Sequence, residues 1–355
     1  MDERRHLLER WLAQNLRKNG DTPEYSLETA SSDASFRRYF RAKVDGDSYI
    51  IMDAPPKQED CRPFIAISKT LSDAGLNVPQ VLKMDLEQGF LLLTDLGEKQ
   101  YLEVLTRQSV ETLYSDAMRA LKLMQTIQLP DNFLPDYSYD LMMNEMVLFR
   151  DWFLSRNLEL ILTSEDESIL ENAFEILALK ALAQPQVWVH RDFHSRNLML
   201  IDSETVGDKG KEAELHNPGI LDFQDAVVGP ISYDLVSLLR DCYISWPQHQ
   251  VQTWVKRYHS VLINSGLVSE AVSFVEFQRW FDLMGVQRHL KAIGIFSRLD
   301  IRDNKPEYKQ DIPRTIQYIL QVCKDYKELN PLNEWLQKNV VPRVTELKNK
   351  KADSY

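Results

Sequence analysis

Apolar and polar positions change texture once along the chain. Up to about residue 96, apolar residues come in short runs closed by turn residues, as in SFRRYFRAKV, DSYIIMDAP and GFLLLTDL. Such runs predict β-strands. One stretch there, DCRPFIAISKTLSDAGL, spaces its apolar residues by three and four and stops before Val78-Pro79, which predicts a helix. The N-terminal MDERRHLLERWLAQNL reads as a charged amphipathic helix. From Gln100 to about Ala183 the spacing is helical throughout, as in VETLYSDAMRALKLMQTI and YDLMMNEMVLFRDWFLSRNLELIL, and helices return after Tyr233. The Asp95-Leu96-Gly97 turn is the expected hinge between an α+β lobe over 1–96 and a mainly helical lobe over 97–355. A polar insertion, SETVGDKGKEAELHNPG at 203–219, separates two strands, no internal repeat is evident, and the Lys-rich end NEWLQKNVVPRVTELKNKKADSY predicts a solvent-facing helix followed by disorder.

The helical lobe is interrupted by VWVHRDFHSRNLML, residues 187 to 200, which packs His190, Arg191, Asp192, His194 and Asn197 between two short apolar strands. Residues on so tight a connection can converge on a cleft. About twenty residues further on, a second apolar run, GILDF, brings Asp222 to a strand end. Taken singly, an Asp or Asn in a turn caps a helix or satisfies nearby backbone, and a His is a core hydrogen-bonder. Together, Asp192, Asn197 and Asp222 supply oxygen ligands for Mg²⁺ and an acceptor for a substrate hydroxyl, the groups that phosphoryl transfer needs.

Composition narrows the partners. The formal charge of −11 on 355 residues opposes a broad attraction to nucleic acid or anionic lipid. No apolar run approaches membrane-spanning length and no secretory h-region is seen. Cys61, Cys242 and Cys323 are scattered without C-x-x-C spacing, which fits neither a disulfide framework nor a zinc site and suits a reducing cytoplasm.

HRDFHSRN followed by LDFQDAVVGPISYDL resembles the catalytic signature of the aminoglycoside phosphotransferase and choline kinase family, small-molecule kinases with a two-lobed, protein-kinase-like α+β fold. His194 stands where eukaryotic protein kinases usually place lysine. Only eleven residues lie between Asp222 and Asp234, too few for the activation loop of a protein kinase, so a protein substrate is disfavoured. The flanking runs DFQDAVVGPISYDLVSLLRDCYISWP, MGVQRHLKAIGIFSRL and SSDASFRRYFR are similar to one bacterial branch of the family. Its members phosphorylate the anomeric hydroxyl of N-acetylmuramate and N-acetylglucosamine to the α-1-phosphate in cell-wall recycling.

The resemblance implies ATP and Mg²⁺, with Asp192 as the catalytic carboxylate and Asn197 and Asp222 as metal ligands. It places Ser31, Ser32 and Ser35 in the loop over the ATP phosphates and Thr94, Asp95 and Leu96 beside the adenine. It leaves one departure: Met52 stands where the kinase fold carries a phosphate-binding lysine, and Arg37, Arg38, Lys43 or Lys57 could supply that charge, with Glu59 nearby. His190 is expected to support the loop, Arg191 either to brace it or to meet substrate, and Asp234 to act as a helix cap or loop anchor. For the sugar, the helical lobe offers Asn144, Glu145, His194, Asp241, Tyr243, Arg288, His289 and Lys291. Solvated helix faces and internal ion pairs are the competing reading for these residues. The basic run QRHLK suits an anionic sugar such as N-acetylmuramate, whose lactyl group is a carboxylate. Two alternatives stay open: a kinase of an aminoglycoside, choline or another small alcohol, and a nucleotide-binding regulatory protein without transfer activity.

Overall fold

The computed structural model describes residues 2–16, 23–31, 36–201 and 217–345. Its elements run α1 (Glu3–Asn15), β1 (Tyr25–Ser31), β2 (Arg38–Val44), β3 (Asp47–Asp53), α2 (Cys61–Asp73), β4 (Val81–Asp85), β5 (Phe90–Thr94), α3 (Tyr101–Val104), α4 (Val110–Gln125) and α5 (Tyr139–Leu148). A π-helical segment, Phe149–Asn157, leads on to α6 (Ser164–Leu182), β6 (Gln186–Val189), β7 (Leu198–Met199), β8 (Gly219–Ile220), β9 (Val227–Pro230), α7 (Tyr233–Leu239), α8 (Gln248–Asn264), α9 (Phe274–Asp303), α10 (Ile312–Cys323) and α11 (Asn330–Asn339). The chain forms two compact units, Met1–Met124 with Arg196–Gln224, and Gln125–Ser195 with Asp225–Tyr355. The expected 1–96 lobe falls within the first unit, which also takes in α3, most of α4 and the β7–β8 pair.

In the first unit five antiparallel strands lie in the order β1-β2-β3-β5-β4. Alternation on β2 buries Phe40, Ala42 and Val44, which pack with Leu8, Trp11 and Leu12 of α1 and with Phe90 and Leu92 of β5. Each Val, Leu or Phe among them stabilises the fold by roughly 1.5–3 kcal/mol on full burial. Helix α1 begins at Asp2, whose carboxylate accepts from Arg5 N at 3.1 Å. Asp53, fully buried at the end of β3, binds Arg4 of α1 and Arg38 of β2. The texture of the sequence marked β2, β3 and β5 but neither β1 nor β4.

In the second unit α9 runs for 30 residues, and nine in succession, Leu283 to Lys291, are buried. A helix covered on every side must supply its own polar residues with partners. Its approach to the neighbouring helix is close: a Cβ on Gly294 would sit 2.6 Å from Phe149 N, where α5 passes into the π-helical segment. The short pair β6–β9 aligns Val189 with Val227 and delivers the chain directly to His190. Helix α11 departs from the expected solvent-facing tail. Leu332, Trp335 and Leu336 share one helical face and are buried, and Trp335 Nε1 donates to Asp166 Oδ1 at 2.5 Å. The expected disorder beyond residue 345 lies outside the described residues.

Candidate active site

In the second unit the segment 190–195 is fixed at both ends by buried carboxylates. Asp234, in the first turn of α7, accepts from His190 N at 2.6 Å and from Arg191 N at 3.0 Å. Asp241, just beyond α7, accepts from Ser195 N at 3.0 Å and from Ser195 Oγ at 2.5 Å. Between these anchors Arg191 adopts φ 76°, a left-handed conformation that costs a non-glycine residue about 1–3 kcal/mol. His190 is fully buried and its Nδ1 accepts from Asp192 N at 3.2 Å, while Phe193 fills the core below. The Asp192 side chain stays 41% exposed. Burial pushes its carboxyl up, but the positive fields of Lys291, His194, Arg288 and His190 prevail and hold it down to about 2. At Asp234 burial outweighs the hydrogen bonds from His190 N and Arg191 N and, with the nearby charge of Asp192, raises the carboxyl to about 7.

A buried charged cluster braces this loop. Glu145 of α5 binds Arg191, lies 3.2 Å from Lys291 Nζ, and accepts the Tyr137 hydroxyl. Gln287 Nε2 donates to Tyr137 Oη at 3.0 Å, and Lys291 Nζ donates to Tyr233 Oη at 3.1 Å. Burial alone would raise the Glu145 carboxyl; Lys291 and Arg191 together keep it below its ordinary value. Arg288 is as buried as its neighbours, and its one side-chain hydrogen bond among the described residues runs from Nη1 to Cys242 Sγ at 3.6 Å.

The first unit carries the other polar pair. Antiparallel pairing of β7 with β8, Leu198 opposite Ile220, holds Asn197 and Asp222 near one another. Leu221 N donates to Asn197 O at 2.9 Å, and Asn197 Nδ2 lies 3.4 Å from Asp222 Oδ2. Asp222 adopts φ 61° and is exposed, with Gln224 Nε2 donating to its Oδ1 at 2.6 Å. An exposed carboxylate beside an amide oxygen is a hard oxygen donor set that fits Mg²⁺, an ion usually held by one or two carboxylates together with phosphate oxygens and water. In the same unit Arg37 Nη2 lies 2.9 Å from Glu59 Oε2, both largely buried. Met52 is fully buried in the core.

The structure sorts the remaining expectations. His194 packs edge-on against Tyr243 at 5.3 Å between ring centres, with its Nε2 4.0 Å from Asp192 Oδ1, so these three residues are brought together. Asn144 is exposed on α5, whereas Glu145 beside it points into the buried cluster. His289 is turned to α10: it stacks on Tyr318 at 4.9 Å, its Nε2 meets Arg240 O at 2.9 Å, and burial pushes its imidazole down to about 3. Asp95 spends its carboxylate within the sheet, on Arg41 Nε at 2.6 Å and Ser48 Oγ at 2.6 Å. Thr94 pairs with Tyr49 and with Gln80. Leu96 is half-buried. Ser31 closes β1, and Ser32 and Ser35 lie outside the described residues. Sequence reasoning missed Tyr137 and Tyr233, which carry no signal beyond adjacency in the fold, and it left open the Asp241 anchor role and the Arg37–Glu59 pair.

A family model described as the phosphotransferase enzyme family matches residues 26–267, which contain Asp192, Asn197, Asp222 and both loop anchors. The chain belongs to this family. Proteins named N-acetylmuramate/N-acetylglucosamine kinase are 45% identical in Pseudomonas putida, over 89% of this chain and 88% of that one, and 42% identical in Neisseria meningitidis serogroup B, over 87% and 89%. Among solved structures, an ADP-bound aminoglycoside phosphotransferase is similar at TM-score 0.57 and 15% identity, covering 91% of this chain and 99% of that one. A choline kinase from Streptococcus pneumoniae is similar at TM-score 0.57 and 12% identity, covering 89% and 99%. These phosphotransferases share the protein-kinase-like α+β fold, and this chain has it too, with a β-sheet N-terminal region and a mostly helical remainder.

Proposed function

We propose that the protein is an ATP-dependent kinase that phosphorylates the anomeric hydroxyl of N-acetylmuramate and N-acetylglucosamine. The observation that carries phosphoryl transfer is Asp192, an ionised and accessible carboxylate on a loop locked at both ends. The choice of sugar draws on the relatives that bear those substrates in their names. In this reading Asp192 accepts a hydrogen bond from the C1 hydroxyl and aims its oxygen at the γ-phosphorus. A new P–O bond forms at C1 as the bond to ADP breaks, and the hydroxyl proton passes to Asp192 and then to solvent. A carboxyl held to about 2 is a weak base, which suits an acidic anomeric hydroxyl that releases its proton late. Asn197 and Asp222 would hold Mg²⁺, whose charge offsets that of the ATP phosphates.

Residues 1–96 form the nucleotide-binding lobe of this reading, with the serine loop Ser31–Ser35 over the phosphates and the backbone of Thr94 to Leu96 beside the base; residues 97–355 supply the catalytic loop and sugar site. Arg37 is the residue best suited to the role of the lysine absent at Met52. Arg38 is committed to Asp53 and Asp2, Arg41 to Asp95, and Lys43 lies out by Glu98. Lys57 is exposed. The buried pair Arg37–Glu59 alone reproduces a lysine–glutamate pair of the kinase type, with the basic group steadied by its carboxylate. Three free, buried cysteines suit work in the cytoplasm. Among the described residues no helix is long and apolar enough to cross a membrane.

The test is ADP release with ATP, Mg²⁺ and a panel of N-acetylmuramate, N-acetylglucosamine, an aminoglycoside and choline. Release that depends on either amino sugar is the expected result. Release with the aminoglycoside or choline alone would overturn the sugar assignment, and release with none of the four would favour a binding protein.

A further inference from the structure

The three cations around the catalytic loop, Arg191, Arg288 and Lys291, are not equally satisfied. Arg191 has Glu145 as counter-charge, and its guanidinium lies 5.8 Å from the Tyr137 ring centre. Lys291 shares Glu145 and also reaches Tyr233. Arg288 is 5% exposed; among the described residues it has no carboxylate within ion-pair distance and donates only to the Cys242 thiol, a weak acceptor. Its Nε is buried and has no hydrogen-bond partner among the described residues. The carboxylates whose fields act on it are Asp192 and Asp241, and Asp241 is already occupied by Ser195 and Tyr243. A buried guanidinium without an acceptor is costly, and such a group persists where a ligand completes it.

We propose that Arg288 is the receptor for the lactyl carboxylate of N-acetylmuramate and so sets the preference between that sugar and N-acetylglucosamine, which lacks the group. The assignment rests on the amino-sugar kinase reading above. A planar guanidinium matches a carboxylate with two parallel hydrogen bonds, which the ammonium of Lys291 cannot do. Arg288 lies in the same unit as Asp192 and its field acts on that carboxylate, and the lactyl ether and the C1 hydroxyl are carried by the same sugar ring. Phosphate is the other anion that a guanidinium binds well. The two are told apart by esterification, which removes the charge of the lactyl carboxylate and leaves the phosphates of ATP untouched.

The experiment compares kcat/KM for N-acetylmuramate, its lactyl methyl ester and N-acetylglucosamine, with the wild-type protein, Arg288→Met and Arg288→Lys. The wild type should use the ester about tenfold less well than the acid, or worse. Arg288→Met should erase that difference and lose N-acetylmuramate at least about tenfold more than N-acetylglucosamine, with Arg288→Lys between. Equal losses on both sugars would show that Arg288 serves the phosphoryl group or the fold, and would overturn the assignment. Equal use of acid and ester by the wild type would overturn it without any variant, so a poorly folding Arg288→Met leaves the test decisive. A wild type that phosphorylates neither sugar refutes the kinase reading and this assignment with it; one that phosphorylates both but ignores esterification refutes this assignment alone.

Discussion

The two polar regions of this protein are built in opposite ways. Asn197 and Asp222, in the first unit, sit at the end of a two-residue strand pair, and Asp222 is exposed, with the Asn197 and Gln224 amides close to its carboxylate. The cluster around Asp192, in the second unit, buries Glu145, Asp234, Asp241 and Lys291 almost completely, holds Arg191 half-buried among them, and ties each to named partners. In the proposed reading, the carboxylates that meet a ligand are left open, and the carboxylates that aim another residue are enclosed. Asp192 joins the two designs, since its backbone is enclosed and its side chain is open.

The largest break in this contrast comes from its meeting point. Asp192→Asn should lower kcat by about 10²–10⁴-fold while the KM for ATP changes little, because the loop anchors remain. Steady-state kinetics that return wild-type turnover would remove Asp192 from the chemistry. Next in size is Glu145→Gln, which leaves Arg191 and Lys291 buried without their common counter-charge. Denaturant unfolding should show a loss of about 3–5 kcal/mol. A loss near zero would mean that the cluster is far better solvated than its burial indicates.

A smaller change sharpens the first-unit side of the comparison. If Arg37 meets the ATP phosphates, Arg37→Ala should raise the KM for ATP by about tenfold, the effect of a charge-assisted hydrogen bond, and Arg37→Lys should recover part of it. An unchanged KM in Arg37→Ala would confine the Arg37–Glu59 pair to a structural role.

The last effect is one of pH. The Asp234 carboxyl is raised to about 7 from 3.8, so the folded chain keeps a proton that the unfolded chain has released. This group therefore makes stability fall as pH rises from about 4 to about 7. Asp192, held to about 2, acts in the other direction, and its contribution is present above about 4 and lost as pH falls toward 2. Thermal melts of Asp234→Asn should lack the decline between about pH 4 and 7 that the wild type shows. An identical slope in both proteins would assign the decline to other groups.

Much of this plan is legible in the sequence because it is local. The runs that became β2, β3 and β5 alternate or are continuously apolar, and the segment His190–Asn197 places seven polar residues among eight between apolar strands. Strand β4 was hidden because three of its residues, Leu82, Lys83 and Met84, are exposed, so burial leaves little pattern on it. The role of Asp241 was hidden because its partner, Ser195, is 46 residues away. Arg37 and Glu59 likewise meet only through the folded sheet. In QRHLK, the sequence grouped Arg288, His289 and Lys291 by charge. Helical geometry separated them, with His289 turned to Tyr318 and Lys291 to Glu145. Sequence adjacency on a helix puts neighbours about 100° apart, so a basic run marks a region and not a shared binding face.

The central claim is transfer of phosphate to an anomeric oxygen, and phosphorus NMR of a reaction with ATP, Mg²⁺ and N-acetylmuramate or N-acetylglucosamine tests it most directly. The account predicts a new sugar phosphate signal whose phosphorus couples to the anomeric proton. Intact ATP with both sugars, or a product whose phosphorus couples to protons elsewhere on the ring, would contradict it.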